Sequence, residues 1–557
     1  MLLLVTWRVI VLPPGADLEA GDADSCGMIP ETRPTHPILT VLPAAILAIL
    51  CGIELAASMV LNHGSIVYTL DDAYIHLSLA ENIARGHYGI NAAEPCSPSS
   101  SILWPFLLAP FARHPSGLFV PLLLNLLASV GTVTLVGTFV ADEIRNADER
   151  ARPIGVCMLT VAIVLATNTV GLVFTGMEHS LQVLLSVGLV AGLVREKRHD
   201  HVPWWLGACL ILGPLVRYEN LALSVPALFY LLWRGRRRLV VLSGAALVLT
   251  VGGFSLFLHG QGLAWIPASV ILKSHAFGTG WIPSGLARAV YANLTGSPHL
   301  LIATIVVILS TCLLRRKDEG RPLAIWALSA AALHLLFGQH GWFSRYEIYI
   351  LMTLLLMTIH LCREATILLL EQSPVRFGAI VAASILMLGG DYLYPLVRTP
   401  NASNNVYEQQ YQLHRFVTGY YAGPVAVNDI GYVSYKNDSY VLDLFGLASR
   451  EAFESRTAGK GCEWLNVLAH KHGVRLAMIY ASWFPHRPAN WKPVAEMSLS
   501  RSNTTVDDRV VTFFALDPET ARSVAPLLAR FRDSLPHGVR LALEVESPPG
   551  GAQENAG

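Results

Sequence analysis

The feature that most constrains this chain is its succession of long apolar runs. A helix needs roughly 20 apolar residues to cross a hydrocarbon core of about 30 Å, and within that core the chain must satisfy its own backbone hydrogen bonds. Such runs lie near residues 38–61, 117–141, 154–171, 179–194, 203–216, 219–233, 239–258, 297–314, 322–338, 348–362 and 377–390. They predict an α-helical polytopic membrane protein of about 11 spans. The composition agrees: 53% of residues are hydrophobic and 14% charged, with a formal net charge of zero, whereas soluble domains are about one quarter charged. With no net positive charge and no basic stretch interleaved with aromatics, nucleic acid is excluded as a partner.

Lys and Arg in the connections set the orientation. One set holds "RNADERAR", "REKR", "RGRRR", "RRKDEGR", Arg363 and Arg376; the opposite set holds only Arg85, Arg113, Arg217, Lys273, Arg288 and Arg345. The first set is expected to face the cytoplasm, which puts residues 62–116, 259–296 and everything after 391 outside. Residues 203–233 are too few for two full crossings at a rise of about 1.5 Å per residue. They predict two short helices that meet inside the protein at "RYEN", an arrangement tolerated where broken helices line a cavity.

Four regions follow. Residues 1–37 form an N-terminal cytoplasmic segment in which "MLLLVTWRVIVLPPG" makes a poor signal peptide, and Met28 is the alternative start. Residues 38–390 form the transmembrane unit. Residues 391–545 form a small extracytoplasmic α/β domain, where the runs "PVAVND", "SYVLDL", "VRLAMIY" and "RVVTFFAL" predict strands and "CEWLNVLAHKHG" a helix. Residues 546–557 form a disordered tail. Of the eight cysteines, Cys96 and Cys462 fall on the outer side, where an oxidising compartment would let them pair.

Acids and bases gather on the outer connections: Asp71 and Asp72 in "YTLDDAYIHLSLAENIARG", Glu178 in "TGMEHS", Arg217 and Glu219 in "RYEN", Lys273 in "WIPASVILKSH", and Arg345 in "GWFSRYE". Cations there suit a phosphate, and a carboxylate suits a general base. Each also has a plainer reading. Asp71 or Asp72 caps the following amphipathic helix; the cations snorkel to headgroups; Glu178 and His179 are two adjacent residues and a weak metal signal; His76 is a loop or core histidine rather than a catalyst. Arg217 is hardest to dismiss, since it sits between two apolar segments partly within the bilayer.

"LDDAYIHLSLAENIARG" followed by "SPSSSILWPFLLAP" resembles the first outer loop of polytopic C-type (GT-C) glycosyltransferases, the mannosyl- and arabinosyltransferase-like enzymes that use polyprenyl-phosphate sugars. The resemblance continues through "TGMEHSL", "VRYENL", "WIPASVILKS", "SRYEIYIL" and "NNVYEQQYQLHRFV" to "VAVNDIGYVSYKNDSYVLDLFGLAS". It implies an inverting transfer from a polyprenyl-phosphate-sugar donor to a cell-envelope glycan, lipid or protein acceptor, at a bacterial inner (plasma) membrane. Asp71 or Asp72 would be the catalytic base. Arg217, Lys273 and Arg345 would bind the donor phosphate, with Glu178 and Glu219 in the same substrate site. No metal or cofactor is implied. Of the two aspartates, the expectation is Asp71 as base and Asp72 as cap or support. The chain departs from the family pattern at Tyr218, where Pro is expected, and in its small C-terminal domain. Two other readings stay open: a transporter or flippase of a lipid-linked saccharide, which would more often show internal repeats, and a catalytically silent assembly partner.

Overall fold

The computed structural model describes residues 37–92, 94–273, 282–313, 320–459 and 461–543. The expectations for residues 1–36, including a start at Met28, and for the tail from 546 lie outside the described residues. Three helical stretches, Val41–Leu61, Pro115–Glu143 and Arg237–Gly260, are each long and apolar enough to cross a bilayer; the number rises to six if each of three bent pairs counts as one span. The first stretch leaves Ile53 58% and Val60 78% exposed, which lipid tolerates and water does not. The bent pairs turn by 92° between Gly296 and Pro298, by 70° between Leu361 and Arg363, and by 66° between Met387 and Asp391. At the third bend a Cβ on Gly389 would lie 2.7 Å from the Cα of Ala166, so the bend approaches the end of the helix Ala151–Ala166 backbone to backbone. The helix Pro374–Glu408 thus runs on past residue 390, where the sequence suggested a domain boundary.

The centre of the bundle is the helix Ile348–Leu361, whose residues from Ile348 to Leu354 are all buried. A helix that is apolar all round belongs in a core. The helix His179–His199 packs against it, with Val187, Val190 and Leu193 fully enclosed. Residues 203–233 form the two short helices expected, Leu206–Val216 and Leu221–Trp233, joined by a 3₁₀ turn at Tyr218–Asn220. The break frees the Leu215 carbonyl, which accepts N–H bonds from Ile102 (3.0 Å) and Leu103 (2.9 Å). The "SPSSSILW" stretch therefore supplies backbone donors to the broken helix.

Beyond the bundle lies a mixed six-stranded sheet. Its strands are β1 (Val425–Val427), β2 (Val441–Asp443), β3 (Leu476–Ile479), β4 (Lys492–Ser498), β5 (Val510–Ala515) and β6 (Arg540–Leu543), in the order β2-β1-β3-β5-β4-β6. β1 pairs in parallel with β2 and β3, and the other pairings are antiparallel. The four apolar runs became β1, β2, β3 and β5. β4 escaped notice because Lys492, Pro493 and Glu496 interrupt its apolar residues. The protein is thus a polytopic helical membrane protein with a C-terminal sheet domain.

The sheet domain meets the bundle on the helix Asp72–Ile83, which is buried from Ala73 to Ala80. Tyr74 packs against Tyr432 with ring centres 3.8 Å apart and planes tilted by 32°. Gly176 (φ 69°) closes the other side, since a Cβ there would lie 2.6 Å from the Cβ of Ala73 and 2.7 Å from the Tyr68 ring. Only glycine adopts that conformation freely and allows that approach.

Candidate active site

Asp71 and Asp72 open the helix Asp72–Ile83 but point to different partners. Neither caps it: Asp71 occupies the N-cap position and makes no side-chain cap hydrogen bond. Asp71 accepts instead from the sheet domain, Oδ2 from the Gly431 N–H at 2.7 Å and Oδ1 from the Tyr432 N–H at 2.8 Å. The capping reading is corrected for both aspartates. The physical reason is that the carboxylates face long-range donors that outcompete the first turn of their own helix.

Asp72 lies between two cations. Lys273 Nζ is 3.1 Å from Oδ2, and Arg345 Nη2 is 2.6 Å from the same oxygen. Burial opposes its ionisation, but Lys273 and Arg345 outweigh that cost and hold the carboxyl well below the usual carboxylate range. Burial, joined by the nearby Asp429 carboxylate, drives Asp71 the other way, well above that range. Asp429, just past β1, is itself pushed up to about 6 by burial, and it accepts bonds from Tyr480 Oη (2.9 Å) and Gln410 Nε2 (3.2 Å). Two adjacent carboxyls are thus split in proton affinity by their surroundings, the pattern that separates roles in acid–base sites.

Arg217 is the extended residue between the two short helices, with φ −151° and ψ 133°. Its guanidinium binds Glu178 Oε1 at 2.7 Å, and Glu219 Oε2 and Oε1 at 3.1 and 2.5 Å. Glu178 therefore serves Arg217; its second oxygen lies 3.5 Å from His76 Nε2. Burial lowers the proton affinity of His76, and His76 Nδ1 is 3.3 Å from Ser99 Oγ. His76 is a buried histidine, but one wired into the ionic network. Among the described residues no group of three or more His, Cys, Asp and Glu side chains is placed to hold a metal ion.

Tyr346 joins the two halves. The Arg345 and Arg217 guanidinium carbons lie 4.8 and 5.4 Å from its ring centre, and Arg345 Nη2 donates to its hydroxyl at 2.9 Å. Cations over a phenol face are stabilised by the ring quadrupole. Arg345 is 1% exposed, and its Nε and Nη1 have no hydrogen-bond partner among the described residues. Asp72 and Lys273 are more open, at 18% and 26%, so the network reaches the surface at that end.

Arg345 is aimed by an unusual turn. Gly341, Trp342, Phe343 and Ser344 all have positive φ, at 71°, 47°, 66° and 48°. For non-glycine residues this costs roughly 1–2 kcal/mol each. The turn is pinned by Asn168 Nδ2 donating to the Phe343 carbonyl (3.0 Å) and by the Gly341 N–H donating to Glu347 Oε2 (3.0 Å). Such strain, held by surrounding bonds, gathers at functional sites.

The residues singled out from sequence thus converge on one network containing Asp72, Lys273, Arg345, Arg217, Glu178 and Glu219, with Asp71 at its edge. Sequence reasoning passed over Tyr346, Asp429 and the left-handed turn. Tyr346 lay inside the quoted "SRYE", but nothing local marks it as a bridge. Cys96 and Cys462 are both free thiols; Cys96 is buried and accepts from the Ile90 N–H at 3.3 Å, which corrects the suggested pairing.

A family model described as a domain of unknown function, DUF8728, matches residues 404–514. No curated protein matches the chain. Among solved structures, the chain is similar to ArnT from Cupriavidus metallidurans bound to undecaprenyl phosphate, at 10% identity and a TM-score of 0.48, over 87% of this chain and 99% of that one. It is similar to the Archaeoglobus fulgidus oligosaccharyltransferase at 12% identity and a TM-score of 0.46, over 90% and 79%. It is also similar to the mycobacterial arabinofuranosyltransferase AftD at 14% identity and a TM-score of 0.40, over 85% and 41%. All three are GT-C glycosyltransferases, the group that the sequence motifs resemble.

Proposed function

We propose that this protein is an inverting membrane glycosyltransferase that moves a sugar from a polyprenyl-phosphate donor to a cell-envelope glycan, lipid or protein acceptor. In this reading about 11 spans put the ionic network and the sheet domain on the extracytoplasmic face of a bacterial inner membrane. The observation that carries the reading is the buried Arg345 guanidinium, which spends one nitrogen on Asp72 and Tyr346 and keeps two without partners among the described residues. A fully enclosed cation with free donors calls for an anion, and the phosphate of the donor supplies it beside Lys273.

Asp71 is the base. Its raised proton affinity suits accepting a proton near neutral pH, whereas Asp72, held ionised by two cations, is a poor acceptor and keeps Lys273 and Arg345 in place. The acceptor hydroxyl gives its proton to Asp71, and its oxygen forms a bond to the anomeric carbon. The bond from that carbon to the phosphate oxygen breaks with its electron pair, and polyprenyl phosphate leaves with its charge held by Lys273 and Arg345. Arg217, neutralised by Glu178 and Glu219, supports the Tyr346 platform from behind.

Reconstitution in proteoliposomes with radiolabelled polyprenyl-phosphate sugars tests this. Transfer to a cell-envelope acceptor is expected from the wild type, and Arg345→Gln should weaken donor binding at least tenfold. Unchanged donor affinity in both Arg345→Gln and Lys273→Gln would refute phosphate binding by these residues.

A further inference from the structure

A cavity lies where the bundle meets the sheet domain, away from the ionic network. It encloses about 500 Å³, within the size range of small-molecule sites. From the bundle it is lined by His259, at the end of the helix Arg237–Gly260, and by Trp265; from the sheet domain by Leu447, Arg450, Phe453 and Glu454. His259 and Trp265 stack face to face, with ring centres 4.3 Å apart and planes 12° from parallel, and Trp265 is 52% exposed. Arg450 Nε donates to Glu454 Oε1 at 2.7 Å. The Arg450 backbone is tied down as well, since its N–H donates to Glu94 (3.3 Å), whose other oxygen accepts from Tyr440 Oη (2.6 Å). Gly262 (φ 75°) keeps the floor open, because a Cβ there would lie 2.9 Å from Arg450 Nη1.

These groups select among ligands. The Arg450–Glu454 pair is neutral as a unit, so it does not favour an anion over a neutral molecule. Two exposed charges make poor lining for an acyl chain. A flat aromatic pair opposite a guanidinium and a carboxylate suits a ligand with an apolar C–H face and a rim of hydroxyls: the face lies on the rings, and vicinal hydroxyls bond both charged partners. That is the chemistry of a neutral saccharide. The cavity lies one short helix away from the proposed reaction centre. Ala268 closes its edge, with its N–H donating to Ser97 Oγ (3.0 Å), and the helix Ala268–Lys273 runs from there to the Lys273 of the ionic network, a rise of about 7.5 Å at 1.5 Å per residue.

We infer that this cavity is a saccharide-binding subsite that holds the non-reacting part of a glycan acceptor while its reactive end reaches Asp71. The inference rests on the glycosyltransferase reading for its purpose, though the binding itself needs no donor. Saturation-transfer NMR on the full chain in lipid nanodiscs tests it, with neutral methyl glycosides and their di- and trisaccharides as probes and no donor present. At least one probe should bind, more tightly as the oligosaccharide than as the monosaccharide. Trp265→Ala should weaken it about tenfold, Arg450→Ala by a similar factor, and Trp265→Phe by no more than about threefold. Trp265 is half exposed, so the folded yield of its variants should match the wild type, and binding of polyprenyl phosphate should be unchanged in all three. Failure of every probe to bind, or binding indifferent to both Trp265→Ala and Arg450→Ala, overturns the subsite and leaves the glycosyltransferase reading standing. If glycosides bind as described but no transfer is ever detected, the subsite stands and that reading falls.

Discussion

Replacing Asp71 by Asn separates its chemistry from its structural contact. The two oxygens of Asp71 accept the Gly431 and Tyr432 N–H groups at 2.7 and 2.8 Å, and Asn has only one oxygen to offer. One backbone N–H then faces an amide N–H₂. A buried donor left unsatisfied costs about 1–3 kcal/mol, so the contact between the sheet domain and the bundle should weaken by about 2 kcal/mol, a factor of roughly 30. Loss of a general base costs about 10²–10⁴-fold in rate. Gly431→Ala is the control: its Cβ would lie 2.1 Å from the Asp71 carbonyl oxygen and 2.6 Å from Oδ2. It forces the same surfaces apart while keeping the carboxylate. Transfer rates at saturating acceptor, with thermal unfolding of each variant, should show both variants melting earlier. Asp71→Asn alone should be near zero in transfer, with Gly431→Ala keeping a measurable fraction. If Asp71→Asn keeps more than a tenth of the wild-type rate, or if Gly431→Ala is equally dead, Asp71 is a tether and the proposed base is wrong.

Transfer should rise with pH along an acid limb above the ordinary Asp value of about 3.9, because Asp71 must lose its proton to act. The Asp429 charge raises that value, so Asp429→Asn should move the limb to lower pH, and a pH–rate profile that stays put would refute the coupling. Arg217→Gln strands the buried Glu178 and nearly buried Glu219 without their cation, and breaking a buried pair from one side costs about 3–5 kcal/mol. Its folded yield should fall sharply, and Glu178→Gln in the same background should recover part of it; a normal melt for Arg217→Gln would contradict the network. In unfolded protein both Cys96 and Cys462 should react with maleimide without prior reduction, and in folded protein only the half-buried Cys462 should. Protection of both until reduction would mean they are paired.

Local regularities were enough for much of this protein. The apolar runs marked the helices, the shortness of 203–233 marked a broken pair, and the β-rich runs marked four of the six strands, because hydrophobic period and length act within a few residues. The residue types of the site were visible for the same reason, as charges that do not belong beside spans. Their partners were not visible. Asp72 meets Lys273 and Arg345 across 201 and 273 residues, and Asp71 meets Gly431 across 360. These pairings set which aspartate is held ionised and which is pushed toward its protonated form, a difference that two adjacent identical residues cannot carry in their own sequence. The left-handed turn before Arg345 and the Tyr346 bridge likewise depend on Asn168, Glu347 and Arg217 being brought alongside. Proton affinity and strain are properties of surroundings, and only the packed chain supplies the surroundings.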